Sequence, residues 1–353
     1  MKIYFPILAS LMLFLPAQNQ QVDDLPINKI QVIGSHNSYK KAIDPALFKL
    51  FMQKDSVNAS KIDYEHIAIE KQLDLGLCNL EIDVYADEKG GRFAHPKGLE
   101  MVKQPAYNTD GVMDKPGFKV LHIPELDFRT HFSTLTDGLQ QLKRWSDAHP
   151  NHNPIFITLE AKDAAAKATD ADQTNKLTTA IFAELDETLR NNLGTKNILT
   201  PDLVRGTHAT LNDAVTHGSW PTVKAARGKF MFILDDKSSK RDLYVQGHPS
   251  LKSRVMFVNA EAGTPEAAWM IRNNPKDSEI PKLVKSGYII RTRADNDTQQ
   301  ARKNDYSDFE AAEKSGAQII TTDYYLKSTH FKSAYSVSFP GGKYLRPDPF
   351  FVP

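Results

Sequence analysis

Eight short runs rich in apolar and β-branched residues punctuate this chain, at 29–34, 78–85, 119–123, 154–160, 229–235, 254–260, 288–293 and 317–322. Longer amphipathic stretches lie between them, at 67–75, 134–148, 175–192, 279–286 and 301–315. Strands that alternate with helices pair in parallel, because each helix carries the chain back to the end it left. Eight such strands close a cylinder, so the pattern predicts an α/β fold, a (β/α)8 barrel of the TIM type. Within 134–148, Leu135, Leu139, Leu142 and Trp145 fall three or four residues apart and give that helix one apolar face. Gly76, Gly287 and Gly316 each separate a helical stretch from the next strand, where a left-handed cap belongs.

The length of 353 residues is large for an ordinary domain but within the span of a barrel with long loops. Two connections are long, 86–118 after the second strand and 236–253 after the fifth, and such loops build the rim of a barrel's active site. No linker, repeat or low-complexity block divides the sequence, so residues 20–353 are expected to form one barrel domain. The proline- and glycine-rich stretch from Ser336 onward is expected to be irregular coil packed on it.

At the N-terminus, Lys2 precedes an apolar run from Ile3 to Pro16, followed by Ala17 and the polar Gln18-Asn19-Gln20-Gln21. That is the layout of a signal peptide over residues 1–19, too short to span a bilayer and without a cysteine for lipid attachment. A secreted or periplasmic protein is therefore expected. The one cysteine, Cys78, permits no intramolecular disulfide and reads as a small buried filler. Lys plus Arg total 44 against 43 Asp plus Glu, a formal net charge of +1. This balance argues against a nucleic-acid partner and against adhesion to anionic membranes by bulk charge.

The chemistry is written at the strand ends. The first strand runs into Gly34-Ser35-His36-Asn37-Ser38-Tyr39, which puts His36 and Asn37 at the carboxyl rim, His36 as a structural or a catalytic group. In the second, Leu80, Ile82 and Val84 alternate with Glu81 and Asp83, so both acids point into the barrel mouth. Two carboxylates on one inner face need a compensating charge: a salt bridge to Arg or Lys, a proton on one of them, or a hard divalent metal. The strand at 154–160 adds Thr158 and Glu160, with Lys162 next on the same face. Asn37, Glu81, Asp83 and Glu160 together offer only oxygen, a set that suits Ca²⁺ better than zinc. His122 ends the predicted third strand, and His95 in the long loop competes with it; His131, His149 and His152 read as surface or capping residues. Arg291 and Arg293 share a face of the seventh strand, poised either to fork onto phosphate and hydroxyls or to pair with Glu81 or Asp295.

With these residues in place the chain resembles the phosphoinositide-specific phospholipase C superfamily, and more closely its bacterial, single-domain, calcium-dependent group. The likeness rests on Ser35-His36-Asn37-Ser38-Tyr39, Gln72-Leu73-Asp74-Leu75-Gly76, Glu81-Ile82-Asp83, His122 and Thr158-Leu159-Glu160; 288–295 and 319–324 fit more loosely. The resemblance implies that His36 and His122 flank the scissile phosphate and that Asn37, Glu81, Asp83 and Glu160 hold Ca²⁺. It further implies that Lys162 meets a phosphate or inositol oxygen. Beside it, Arg291 and Arg293 are candidate substrate contacts where they do not pair with acids, and Asp323, at the end of the eighth strand, is placed to orient His36 by accepting its ring proton. Cleavage would proceed by attack of the inositol 2-hydroxyl on phosphorus, with Glu81 or Glu160 as base, His36 as an imidazolium stabilising the phosphorane and His122 protonating the leaving glycerol oxygen. The partner implied is a phospholipid at a membrane surface, met by a monomer through a transient contact. Phe48, Leu50, Phe51 and Met52 are either an apolar rim for that contact or helix core.

The chain departs from the eukaryotic enzymes, which place Gly after the second histidine where this sequence has Ile123-Pro124. The nearest rival is a glycerophosphodiester phosphodiesterase, which shares a Glu-x-Asp pair and an ending like Thr322-Asp323-Tyr324 but usually opens with His-Arg-Gly. An inactive barrel that binds inositides or glycans is the second alternative, opposed by the intact acids and histidines.

Overall fold

The computed structural model describes residues 22–104, 107–163 and 176–351. Its strands in chain order are β1 (Ile30–Ser35), β2 (Asn79–Asp87), β3 (Gly117–Lys119), β4 (Ile155–Lys162), β5 (Phe230–Leu234), β6 (Phe257–Val258), β7 (Trp269–Ile271), β8 (Ile289–Arg293), β9 (Ile319–Thr322) and β10 (Leu345–Pro347). Eight are linked in parallel in the order β6-β5-β4-β2-β1-β9-β8-β7, and a parallel bridge from Asn259 to Trp269 joins the two ends. The result is a nearly closed eight-stranded parallel barrel with helices, as the alternation predicts.

Membership differs from the sequence expectation at one strand. Residues 119–123 are not a barrel strand. β3 pairs antiparallel with the overhang of β2, Tyr85 opposite Lys119 and Asp87 opposite Gly117. The flank of β2 that β3 takes is left open because β1 pairs with β2 only at Gly34 and Asn79, while β4 fills the other flank from Asn79 to Tyr85. The eighth parallel strand is β7, three buried residues that sequence patterning passes over. The stretch at 301–315 also breaks, into helices Gln299–Lys303 and Ser307–Ser315, with Asn304 left-handed between them.

Other elements form where their residues dictate. The helix Leu135–Ala148 is capped by Thr134, whose hydroxyl accepts from the Asp137 N–H at 3.1 Å, and Leu135, Leu139 and Leu142 are buried in the main core. Gly76, Gly287 and Gly316 all have positive φ, as their capping positions require. At Gly34 the constraint is different: a Cβ there would lie 2.4 Å from that of Asn79, so the single contact that registers β1 against β2 needs glycine. The tail is irregular up to β10, which runs antiparallel along Ile30–Val32 of β1. It covers the lower flank of β1 that β2 starts too late to reach, closing an open sheet edge.

Candidate active site

The parallel register of β2 and β4 builds the acid cluster. Glu81 pairs with Thr158, Asp83 with Glu160 and Tyr85 with Lys162, so the alternate residues of both strands meet on one inner face. One carboxylate oxygen from each of Glu81, Asp83 and Glu160 lies within 4.8 Å of the others, the one such grouping of acids and histidines among the described residues. Glu81 and Asp83 are buried and Glu160 is partly exposed. Asn37, the fourth ligand the sequence suggests, is buried just past the end of β1. It sits at φ 48°, a left-handed value asparagine tolerates, and donates its amide to the Tyr64 hydroxyl at 2.8 Å, leaving its carbonyl toward Tyr39.

The salt-bridge alternative is realised at both acids. Arg291, fully buried, pairs with Glu81 through Nη2 and bonds Asn273 Oδ1 through Nη1 at 2.5 Å. Burial opposes ionisation of Glu81, but the positive charges around it, Arg291 foremost with Arg293 behind, together outweigh it and hold the carboxyl below its usual range. Lys162 Nζ lies 2.7 Å from Asp83 Oδ2 and 3.4 Å from Glu160 Oε1. The two partners pull in opposite directions: burial pushes Asp83 up to about 7, while its acid neighbours outweigh burial and raise Lys162. At 2.7 Å with the ammonium in place, we take the pair as ionised. Apart from that contact and the Tyr39 hydroxyl beside it, nothing among the described residues satisfies the buried Asp83 oxygens, which stand in an all-oxygen cluster. The donor chemistry and spacing therefore fit a calcium ion, with Glu81, Asp83, Glu160 and Asn37 as the residues to hold it.

The two histidines stand beside this cluster, each on a carboxylate. His36 Nδ1 lies 2.9 Å from Asp323 Oδ1, and its Nε2 is 3.0 Å from Arg293 Nη2 and 3.4 Å from Glu81 Oε1. An arginine donates only, so Nε2 accepts and the ring is neutral with its proton on Nδ1 toward Asp323. Burial, and after it the Arg293 charge, push the His36 pKa well below the usual 6.5. This differs from the imidazolium the resemblance implies: β8 brings an arginine against the ring, and that charge disfavours a second one. Asp323 is in turn held by Asp295, which accepts its backbone N–H at 2.9 Å along with the hydroxyls of Thr322 and Tyr335. Burial raises the pKa of both acids, helped by the charge of Asp323 at Asp295 and by that of Glu81 at Asp323, where Arg293 opposes it.

His122 is carried by a turn, not by a strand. Its Nδ1 lies 2.8 Å from Oδ2 of Asp127, and the backbone closes the turn through Ile123 and Asp127. Asp127 is fully buried and also meets Lys40 Nζ at 3.3 Å. His95 is exposed in its loop, whereas the charge of His122 is close enough to act on His36. His149 closes its helix on Trp145 O at 2.8 Å, but His152 is buried and bonded to Ser146, a core residue in place of the expected surface one.

Sequence reasoning assigns no role to three supporting groups. Asp127 is five residues beyond His122, across Ile123-Pro124-Glu125-Leu126, and a nearby acid after a proline turn is the signal for it. Gln72 pins the His36 turn, its amide donating to Ser38 O at 2.7 Å while its carbonyl meets the Ser35 hydroxyl at 2.6 Å. Asp235, at the end of β5, is pushed up to about 6 by burial and faces the same acids and Arg291.

Two carboxylate-oriented histidines beside a cation-binding acid cluster are suited to acid–base cleavage of a phosphodiester, and the barrel is a phosphodiesterase in class. Residues 25–349 match the model of the family described as phosphoinositide phospholipase C, Ca²⁺-dependent, and the chain belongs to that family. Its fold is similar to that of a calcium-dependent phosphoinositol-specific phospholipase C from Pseudomonas sp., at a TM-score of 0.56 and 17% identity over 93% of this chain and 97% of that one. It is also similar to a Ca²⁺-dependent phosphatidylinositol-specific phospholipase C from Streptomyces antibioticus, at a TM-score of 0.53 and 18% identity over 85% and 95% of the two chains. No curated protein matches the chain.

Proposed function

We propose that the protein is a secreted phospholipase C that cleaves phosphatidylinositol-type lipids to diacylglycerol and a cyclic inositol phosphate, which water then opens. The observation that carries this reading is the placing of His36 and His122, each on its own carboxylate, beside the oxygens of Glu81, Asp83 and Glu160. Calcium held by Asn37, Glu81, Asp83 and Glu160 would lower the pKa of the inositol 2-hydroxyl and offset charge gathering on the phosphoryl oxygens.

The chain's own residues divide the proton work. His36 Nε2, with its lone pair free once Arg293 turns to the phosphate, takes the proton of the 2-hydroxyl, and Asp323 stabilises the imidazolium that forms. This gives the base role to His36 in preference to Glu81, whose pairing with Arg291 weakens it as a base. His122 delivers a proton to the glycerol oxygen as the P–O bond breaks. An internal hydroxyl as nucleophile removes the entropic cost of capturing water in the first step.

Contact with lipid is assigned to the helices flanking the mouth. In Pro45–Lys54 only Leu47 is buried, while Leu50 and Met52 are exposed, and Val57 and Met101 on the neighbouring helices are exposed by 66% and 67%. Helix core accounts for Leu47 and Phe48, which pack in one cluster, and the exposed Leu50, Met52, Val57 and Met101 remain for a transient dip into the membrane surface by a monomer. Export rests on residues 1–19, which lie outside the described residues.

The test is incubation of the purified protein with phosphatidylinositol vesicles, with and without a calcium chelator. Release of diacylglycerol and cyclic inositol phosphate that stops on chelation and returns with added Ca²⁺ is expected. Cleavage indifferent to chelation would remove the metal from the reading. Release of glycerol 3-phosphate from soluble diesters, with the lipid untouched, would select the glycerophosphodiesterase alternative.

A further inference from the structure

Two cations neutralise the acid cluster, and they are held in very different ways. Arg291 has no exposed surface, and its guanidinium is fixed between Glu81 and Asn273. It has no route out. Lys162 is the last residue of β4, at the rim, and its side chain is 22% exposed. Its ammonium lies 2.7 Å from Asp83 Oδ2 and 3.4 Å from Glu160 Oε1, so it contacts two of the three acids whose oxygens converge within 4.8 Å.

Those oxygens are the ones a calcium ion would need, at about 2.3–2.6 Å each. An ammonium and a divalent ion sharing the same carboxylates would sit at a separation where their repulsion is large at any effective dielectric a protein provides. One has to leave. Asp83 stands directly opposite Glu160 in the strand register, so the metal-free acids repel unless a cation or a proton stands between them, and the ammonium is there. The lysine stem, long and partly exposed at the end of β4, meets both demands: it holds the ammonium inward or, by rotating about its own bonds, presents it to the mouth.

We propose that Lys162 is a tethered counter-cation, its ammonium filling the seat between Asp83 and Glu160 when the metal is absent and being expelled toward the mouth when the metal binds. The inference rests on the reading of the cluster as a calcium site. It makes metal loading and anion capture one event: the ion that enters releases a positive charge to the surface where a phosphate arrives. Calcium affinity is thereby lower than the carboxylates alone would give, and the empty site keeps its shape.

Calorimetric titration of the purified full-length protein with Ca²⁺ tests this. Lys162→Met is expected to bind Ca²⁺ at least tenfold more tightly than the parent, to melt at a lower temperature without metal, and to regain the parent's melting temperature at saturating Ca²⁺. Equal or weaker binding by the variant overturns the proposal while leaving the calcium reading standing. Absence of binding in both proteins overturns the calcium reading and the proposal with it. A second measurement needs no variant. Acetylation of Lys162 in the parent, followed by peptide mass spectrometry, is expected to speed up several-fold when Ca²⁺ is added, with the buried Lys40 as an unchanged control. A rate that stays constant or falls overturns the proposal.

Discussion

His36 takes its carboxylate from the far end of the chain, Asp323, 287 residues away, whereas His122 finds Asp127 only five residues on, across a single turn. Both rings use Nδ1 for that contact, and their side chains are similarly exposed, 18% and 16%. What separates them is the second nitrogen. His36 Nε2 faces Arg293 and Glu81, and the charge of Arg291 lies behind. At His122 the carboxylate is shared with Lys40. Burial and the Arg293 charge thus lower the proton affinity of His36, which suits that ring to start a reaction neutral, as a base must.

The comparison breaks most visibly through the leaving group. His36→Ala is expected to slow turnover by about 10²–10⁴-fold on any inositol phosphodiester. His122→Ala should lose about as much on the lipid but far less when the alcohol is replaced by p-nitrophenol, which departs without a proton. Equal losses on both substrates would erase the division of labour. A smaller contrast is expected between the carboxylates. Asp323→Asn offers the wrong hydrogen-bonding edge to His36 and should cost about 10²-fold or more in kcat. Asp127→Asn should cost roughly tenfold, because the backbone of the 123–127 turn still holds His122. Steady-state kinetics on both variants would reverse this ranking if the local dyad mattered more.

The smallest effect is a displaced pH profile. Arg293 holds the His36 pKa down, so Arg293→Met lets it rise. A base works only when unprotonated, and raising its pKa moves the acidic limb of the kcat/KM profile to higher pH. A limb that stays in place would show that the group titrating there is not His36.

How far such a site can be read from sequence depends on how local its causes are. Glu81, Asp83 and Glu160 are legible because strand alternation fixes their face, and the register that sets Asp83 against Glu160 follows once the strands are neighbours. The pairing of His36 with Asp323 is legible only through strand order, since β1 and β9 are adjacent in the barrel while lying at opposite ends of the chain. Residues 119–123 mislead because Val120, Leu121 and Ile123 have the composition of a strand, yet their N–H and C=O groups are spent within a loop, Val120 on Ser133 and Ile123 on Asp127. Trp269–Ile271 is missed for the converse reason: three residues give too short a run for a period-two pattern, and the fold supplies their partners from β8. Arg291 and Lys162 illustrate a further limit. Sequence puts both on inner faces, but whether each meets an acid or stays open to substrate is decided by side-chain reach across the barrel.

The strand at 345–347 has a consequence for how the molecule comes together. β1 is flanked below by β10 and beside it by β9, at 319–322, so the first strand of the barrel waits for segments made almost three hundred residues later. Until then its edge is bare, and the ring has a seam. Contacts of such long sequence separation are slow to form. The nascent polypeptide therefore spends its synthesis with an incomplete cylinder, and the tail acts as the last stave that tightens it.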